Sequence, residues 1–280
     1  MTRRDLILTT AASAAILNAQ DGPKVQRKNR VKQGVCNGVF GRNMSFEDRC
    51  RHAARLGAHC YDLVQPAQWD IVKKYGLLPN VVPGGGRLTD ACNDKALHAD
   101  IEKQFQTNLP AAAKAGIKTV ITFSGNRRGK SDEEGLENCA LILKKVAPIA
   151  ENEGVTICME LLNSKVDHKD YQCDHTAWGA ELCRRVGSPR FKLLYDIYHM
   201  QIMEGDIIRT MKENIQYIGH MHTAGNPGRH QFDATQELNY KAIAQAIVDS
   251  GYTGFLSHEY SPTTPDPLKT LDEMMAICDV

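Results

Sequence analysis

The sequence predicts a single-domain (β/α)8 TIM barrel, and two patterns in the chain support this prediction. From Gln33 onward, short apolar segments rich in β-branched residues alternate with longer segments of helical periodicity. Eight such apolar segments occur, each followed by a helical pattern, which matches the number of strands in this barrel. A doubly wound sheet would alternate in the same way, but the chain lacks the GxGxxG turn typical of dinucleotide-binding sheets.

The 280 residues divide into three predicted segments. Residues 1–20 combine Arg3 and Arg4 with an apolar stretch shorter than the ~20 residues that a membrane-spanning helix needs, which indicates a twin-arginine export signal. Residues 21–32 are interpreted as a polar, basic tether, and residues 33–280 as the catalytic domain. We therefore expect a periplasmic or otherwise exported protein with no further membrane association, or a cytoplasmic one if the signal is not used.

Start and stop signals divide the domain into its elements. Ser45 can cap the beginning of a helix that ends at Gly57, and further helix ends are expected within residues 148–154 and at Gly251. The glycine-rich segment 82–90 is interpreted as a flexible loop between a strand and a helix. The eight predicted strands comprise residues 33–40, 58–64, 77–83, 117–123, 155–162, 191–196, 215–222 and 254–260.

Charge and cysteine content argue against several classes of protein. The formal net charge of +1 gives no electrostatic reason to expect a nucleic acid or an anionic membrane as partner. The 9 cysteines include no CxxC pair, which argues against a disulfide framework and against a structural zinc site. We interpret them as small core residues, and folding in the cytosol before export would keep such thiols reduced.

Side chains that can bind metal ions occur at the ends of the last four predicted strands. In a (β/α)8 barrel the carboxyl ends of the strands lie on one face, where the active site forms. Two glutamates, an aspartate and a histidine crowded on that face would repel one another unless a cation held them. This donor set suits Mn²⁺, Mg²⁺ or Co²⁺. The sequence therefore predicts one divalent metal ion bound by Glu160, Asp196, Glu259 and a histidine at the end of the seventh strand, which carries His220 and His222.

Other polar residues near the strand ends are candidates for substrate binding. Asn163 and Lys165 follow the fifth strand, and Arg229, with its fixed fork of donors, follows the seventh. His220 should face the same side of its strand as His222, which predicts a contact with the substrate or with a metal ligand or, alternatively, a packed structural position. Lys165 alternatively belongs to a solvated loop. Asp62, at the end of the second strand, could bind a substrate hydroxyl or cap a helix.

From about residue 33 to its end, the chain resembles the hydroxypyruvate isomerase branch of the xylose-isomerase-like TIM barrels, which also include ketose 3-epimerases. This resemblance implies that Glu160, Asp196, His222 and Glu259 bind the metal ion, and that Glu160 and Glu259 are also the acid/base pair. It also implies that His199 contacts a substrate oxygen and that Arg229 binds the substrate. Hydroxypyruvate isomerases usually have glutamine where His222 stands, whereas the epimerases have histidine. The matching segments are MELLN (159–163), YDIYHMQ (195–201), IGHMH and NPGRH (within 218–230), ELNY (237–240) and HEY (258–260).

The predicted site permits proton transfer between adjacent carbons of a hydroxy-carbonyl compound through an enediolate. A metal ion would stabilise the negative charge, while two carboxylates remove and return the proton. Return to the other carbon interconverts a hydroxy-aldehyde and a hydroxy-ketone, and return to the opposite face of the same carbon gives an epimer. If the enediolate expels an oxygen, the site acts as a lyase or hydratase, for example on oxidised (3-keto) sugars. The expected partner is a small sugar or a hydroxy-keto acid, and homo-oligomers could form.

Two other classes of protein fit the sequence less well. AP endonucleases share the barrel but use several metal ions and a basic groove, which neither the net charge of +1 nor a set of four ligands favours. A non-catalytic sugar-binding protein would rely on aromatic platforms, whereas the aromatic content here is 6%.

Overall fold

The structure, a computed structural model, describes residues 22–280, so the predicted export signal (1–20) lies outside the described residues. Within them, one sheet of nine parallel strands runs through the molecule. The strands are buried along most of their length, because the barrel interior covers one face and helices cover the other. They are β1 (Lys32–Val35), β2 (Cys60–Asp62), β3 (Leu78–Asn80), β4 (Val82–Gly85), β5 (Thr119–Thr122), β6 (Thr156–Leu161), β7 (Phe191–Asp196), β8 (Ile218–Thr223) and β9 (Phe255–His258).

The third predicted strand (77–83) corresponds to two short strands, β3 and β4, and the barrel closes between them. β3 pairs with β2 and β4 pairs with β5, while the other strands connect them in the order β2-β1-β9-β8-β7-β6-β5. Only Val81 separates β3 from β4, and its positive φ of 46° turns the chain between them. β3 and β4 are therefore two halves of the third strand, and the predicted (β/α)8 barrel is confirmed.

The helices begin and end largely where the sequence signals place them. The Ser45 hydroxyl accepts a hydrogen bond from the Asp48 N–H (3.1 Å), and Gly57 follows the end of that first helix with a φ of 91°. Gly154 ends the helix Asp132–Glu153 in the left-handed conformation, and Gly251 follows the helix Tyr240–Asp249. The α-helices of the described part are α1 (Phe46–Arg55), α2 (Trp69–Lys74), α3 (His98–Lys114), α4 (Asp132–Glu153), α5 (Thr176–Val186), α6 (Ile197–Met203), α7 (Ile207–Asn214), α8 (Tyr240–Asp249) and α9 (Pro267–Cys278).

The interpretation of residues 82–90 as a flexible loop is wrong at its beginning, because residues 82–85 form β4. The glycines of this segment are required by close packing rather than by flexibility. A Cβ atom on Gly85 would lie 2.8 Å from the ring of Phe105 on α3, and one on Gly84 would lie 2.8 Å from the Ile121 carbonyl oxygen. Glycine in a strand often marks such a close approach.

The described part of the predicted tether packs against the barrel. Within residues 22–31, the Arg27 guanidinium forms an ion pair with Asp272 on α9, and the Val25 N–H donates to the last residue of α1 (2.8 Å). Val31 is 4% exposed and belongs to the hydrophobic core. The folded body therefore includes most of this segment.

The nine cysteines are all free and buried, which confirms their interpretation as core residues. Within residues 22–280, no helix has the length and apolar character needed to cross a membrane.

Candidate active site

Four ionisable side chains meet at the carboxyl ends of β6 to β9. Glu160 is the fifth residue of β6, and Asp196 ends β7, where the strand register places it beside His222 of β8. Glu259 directly follows β9, and its N–H donates to the Thr223 carbonyl oxygen (2.9 Å). One ligand atom from each of the four side chains lies within 4.8 Å of the others. The predicted metal ligands therefore converge on one point.

The geometry and chemistry of this cluster fit a hard divalent cation. His222 Nδ1 lies 3.1 Å from Glu259 Oε2 and 3.5 Å from Glu160 Oε1. Asp196 Oδ2 is buried and has no hydrogen-bond partner, which is costly for a carboxylate oxygen unless a cation or another ligand satisfies it. Three carboxylates and one imidazole are a donor set that magnesium, manganese and related ions accept.

The surroundings shift the pKa values of these carboxyls in opposite directions. Burial, together with the nearby charge of Glu259, raises the pKa of Glu160 to about 7 and that of Asp196 to about 6. Burial also disfavours the charged form of Glu259, but His222 and Arg229 outweigh it and hold its pKa at about 2. Without a cation, burial thus favours the neutral forms of Glu160 and Asp196, and a bound cation would stabilise their charged forms.

His199 presents a hydrogen-bond donor to this cluster. The Asn163 amide donates to His199 Nδ1 (2.6 Å), so the neutral ring carries its proton on Nε2. Burial and the Arg229 charge hold the pKa of His199 well below its usual value, which keeps the ring neutral. Its Nε2 is buried without a hydrogen-bond partner, 3.7 Å from Asp196 Oδ2. His199 can therefore donate to a ligand oxygen beside the four convergent groups.

Arg229 reaches the same cluster from the loop after β8. Its Nη2 donates to Glu259 Oε2 (3.0 Å), and its guanidinium lies over the Tyr198 ring, 5.7 Å from the centroid. The side chain is 29% exposed, so part of it remains open to solvent. It can therefore contact oxygens of a ligand bound there.

Asn163 and Lys165 bond to protein groups instead. Both amide hydrogens of Asn163 are used, by Asp167 (2.7 Å) and His199, and its oxygen accepts two backbone N–H groups. Lys165 donates to the carbonyl oxygens of the last two residues of α6 (3.0 and 2.9 Å). Asn163 thus orients His199, while Lys165 caps the end of a helix. The structure does not bring Lys165 to the four convergent groups.

Asp62 has contacts that neither of its two sequence-based interpretations, substrate binding or helix capping, describes. It ends β2, is fully buried and caps none of the described helices. Its Oδ2 lies 2.6 Å from His220 Nε2 and 3.3 Å from His222 Nε2, and its Oδ1 accepts from the Asn80 amide (3.1 Å). Burial alone would raise its pKa, but the two histidines outweigh burial and hold that pKa well below its usual value. His220 therefore takes the packed position, the alternative to a substrate contact.

A second group, Cys36 with Asp62 and His222, also has ligand atoms within 4.8 Å of one another. Burial raises the pKa of the Cys36 thiol, so this side chain stays protonated, whereas metals bind the thiolate. The carboxylate-rich group is the better metal site.

A sequence profile of the family described as "Xylose isomerase-like TIM barrel" matches residues 46–279. The 2-oxo-tetronate isomerase of Cupriavidus necator is 37% identical over 127 residues, which cover 45% of this chain and 46% of that protein. The hydroxypyruvate isomerase of Escherichia coli (strain K12) is 31% identical over 168 residues, 58% of this chain and 64% of that protein. These alignments thus cover about half to two thirds of the relatives' length.

Solved structures share the fold. AP endonuclease, family 2, from Brucella melitensis superposes with a TM-score of 0.78 at 23% identity, covering 88% of this chain and 98% of that one. The 3-keto-D-glucoside 4-epimerase from E. coli gives a TM-score of 0.72 at 20% identity, with the same two coverages. At these identities the likeness concerns the fold alone. The family profile, in contrast, spans most of the chain, and the chain belongs to the xylose isomerase-like TIM-barrel family.

Proposed function

We propose that the protein is a divalent-metal-dependent isomerase that interconverts a small hydroxy-aldehyde and hydroxy-ketone by proton transfer through an enediolate. The observation that carries this proposal is the convergence of Glu160, Asp196, His222 and Glu259 within 4.8 Å. The names of two relatives, hydroxypyruvate isomerase and 2-oxo-tetronate isomerase, support the same class of reaction.

The four convergent side chains would hold one Mn²⁺, Mg²⁺ or Co²⁺ ion. Three of them supply carboxylate oxygens, and His222 supplies Nδ1, the ring nitrogen that faces Glu160 and Glu259. A divalent ion bound there would act as a Lewis acid that stabilises negative charge on the substrate oxygens.

Glu160 and Glu259 are the pair of groups that we assign to proton transfer. They belong to strand ends separated by β7 and β8, so they reach a bound substrate from different directions. Each carboxyl group has two oxygens, which allows one to bind the metal while the other handles a proton. One glutamate removes the proton from carbon, the hydroxyl proton moves to the former carbonyl oxygen, and the other glutamate delivers a proton to the neighbouring carbon. The hydroxyl and carbonyl groups thereby exchange places, and proton exchange with solvent restores the two glutamates.

Arg229 and His199 would orient the substrate. His199 donates from Nε2 to a hydroxyl or carbonyl oxygen, and Arg229 offers a planar fork of donors that pairs best with a carboxylate. This pairing favours a hydroxy-keto acid over a neutral sugar. The second candidate activity is ketose epimerisation, because His222 matches the epimerases at a position where hydroxypyruvate isomerases usually have glutamine.

The test uses the full chain, prepared with Mn²⁺ and analysed for bound metal. Exchange of carbon-bound hydrogen in D₂O is then followed with hydroxypyruvate, a neutral ketose and a 3-keto sugar. We expect one metal ion per chain and exchange into hydroxypyruvate. Glu160→Gln and Glu259→Gln should each reduce the exchange rate by a factor of about 10² or more. The control Glu204→Gln changes a carboxylate that bonds to Thr176, and it should retain exchange.

Other outcomes would overturn parts of the proposal. Exchange into the ketose alone would replace isomerisation of a keto acid by epimerisation. Loss of an oxygen from the 3-keto sugar would identify a lyase or hydratase. A chain that binds no Mn²⁺ would refute the metal site itself.

A further inference from the structure

A buried carboxylate lies on the far side of His222 from the four convergent groups. Nδ1 of His222 faces Glu160 and Glu259, whereas Nε2 faces Asp62 Oδ2 at 3.3 Å. Asp62 belongs to β2, which is not a neighbour of β8 in the sheet, so this contact crosses the barrel interior. Nothing in the proposed proton transfer uses it.

Hydrogen-bond donors on three side chains hold the Asp62 carboxylate in one orientation. Asn80 donates to Oδ1 (3.1 Å), and His220 lies 2.6 Å from Oδ2 through its own Nε2. His220 and His222 are perpendicular, with ring centroids 5.0 Å apart, and both direct Nε2 at the same carboxylate oxygen. All four of these side chains are fully buried. The carboxylate is therefore held by three donors and cannot rotate freely.

We propose that Asp62 is a positioning residue that fixes the ring of His222 so that Nδ1 points at the metal site. This inference rests on the metal-dependent function proposed above. A hydrogen bond from Nε2–H to a carboxylate selects the ring orientation and leaves Nδ1 as the metal-binding nitrogen. His220 is a second donor to Asp62 Oδ2 and holds this oxygen in place. It does not act as a substrate contact.

The geometry explains why the chain places two histidines one residue apart on β8. Side chains at positions i and i+2 of a strand point to the same side, so His220 and His222 can reach one carboxylate together. His220 lies deeper in the barrel, whereas His222 stands beside the last residue of β7 in the register. His222 can therefore bind the metal ion, while His220 holds the carboxylate that orients His222.

The test compares Asp62→Asn, which keeps the shape of the side chain and removes its charge, with the wild-type full chain. Mn²⁺ affinity is measured by titration, and the fold is checked by circular dichroism without metal. We expect the affinity of Asp62→Asn to fall by a factor of about 10 to 100, as is typical when a carboxylate behind a ligating histidine is removed. Asp174→Asn is the matched control, because Asp174 is also buried but bonds to Arg127 and Ser164. It should keep wild-type affinity.

A second measurement is independent of metal binding. In metal-free protein labelled with ¹⁵N-histidine, the Nε2–H proton of His222 should resonate far downfield, because it is hydrogen-bonded to a carboxylate. In Asp62→Asn this resonance should move upfield or exchange away, whereas it should persist in Asp174→Asn. Asp62→Glu keeps the charge and is the second variant if Asp62→Asn does not fold. Its loss of affinity should be smaller than the loss of about 10- to 100-fold expected for Asp62→Asn.

The outcomes separate this inference from the proposed function. If wild-type protein binds no Mn²⁺, the metal site is refuted, but the resonance in the metal-free protein still decides whether Asp62 holds His222. If Asp62→Asn folds and binds Mn²⁺ with wild-type affinity, Asp62 is only structural and the inference is overturned. An unchanged His222 resonance in Asp62→Asn would overturn it equally.

Discussion

At the scale of single residues, hydrogen-bond capacity decides which polar side chains remain available to a ligand. Asn163 and Lys165 lie next to the site in the sequence, yet both donate to protein groups. His199 and Asp196 each keep one buried polar atom without a partner. Because an unpaired buried polar atom is costly, we expect a ligand to satisfy these two atoms, which lie 3.7 Å apart beside the convergent groups.

The different surroundings of Arg229 and Lys165 lead to a prediction about substrate affinity. Arg229→Lys keeps the charge but loses the planar fork, so KM should rise by about 10-fold, equivalent to about 1.4 kcal/mol, with less effect on metal binding. Steady-state kinetics with hydroxypyruvate measures this change.

Lys165→Ala is the matched cation control. Its ammonium binds the end of α6, so KM should stay unchanged while thermal stability decreases slightly. A large rise of KM in Lys165→Ala, with none in Arg229→Lys, would reverse the two assignments.

At the scale of elements, close packing between α3 and β4 constrains the third barrel strand. A Cβ atom on Gly85 would lie 2.8 and 2.9 Å from two ring atoms of Phe105 and 3.2 Å from the Ile101 carbonyl oxygen. The helix therefore rests directly on the strand backbone. This contact helps to define β4 where the sequence alone suggests a loop.

We predict that Gly85→Ala destabilises the fold by about 1–3 kcal/mol, because the methyl group overpacks this contact. Chemical denaturation followed by circular dichroism measures the change in the free energy of unfolding. Trimming the ring in the double variant Gly85→Ala/Phe105→Leu should recover part of the loss relative to Phe105→Leu alone. If the two substitutions change the free energy of unfolding additively, α3 moves away from the new methyl group and the ring of Phe105 does not clash with it.

At the scale of the whole molecule, a metal ion that binds only the folded chain should stabilise it. The four convergent groups come from strand ends far apart in the sequence, so the unfolded chain cannot assemble them. With free Mn²⁺ at 100 times its Kd, the stabilisation should be about 2.7 kcal/mol, which corresponds to a rise in Tm of roughly 5–10 °C.

Thermal unfolding with and without a chelator checks this prediction. Asp196→Ala should abolish the shift, while Asp174→Asn should preserve it at a lower absolute Tm. An equal shift in Asp196→Ala would mean that Mn²⁺ acts elsewhere.

Export is the second prediction at this scale. If residues 1–20 are a twin-arginine signal, the double variant Arg3→Lys/Arg4→Lys should leave the protein in the cytoplasm, since the export machinery reads the arginine pair. Cell fractionation compares it with wild type. Equal amounts of both proteins in the periplasm, or wild-type protein confined to the cytoplasm, would contradict the predicted signal.

The local sequence determined the alternation of strands and helices, the capped beginning of α1 at Ser45 and the candidate metal ligands. Periodicity and capping depend on neighbouring residues, so a single chain displays them. The convergence of these candidate ligands was also predictable, because every parallel strand of such a barrel delivers its carboxyl end to the same face. This rule places Glu160 and Glu259 together without any knowledge of their side-chain contacts.

The tertiary structure alone decided which of these groups touch and in which direction they point. The Asp62–His220 contact joins residues 158 positions apart, and the break at Val81 appears only when the barrel closes. The direction of Lys165 depends on where α6 ends in space. Such contacts are set by strand register and barrel curvature, which act between distant segments and leave no periodic pattern in the sequence.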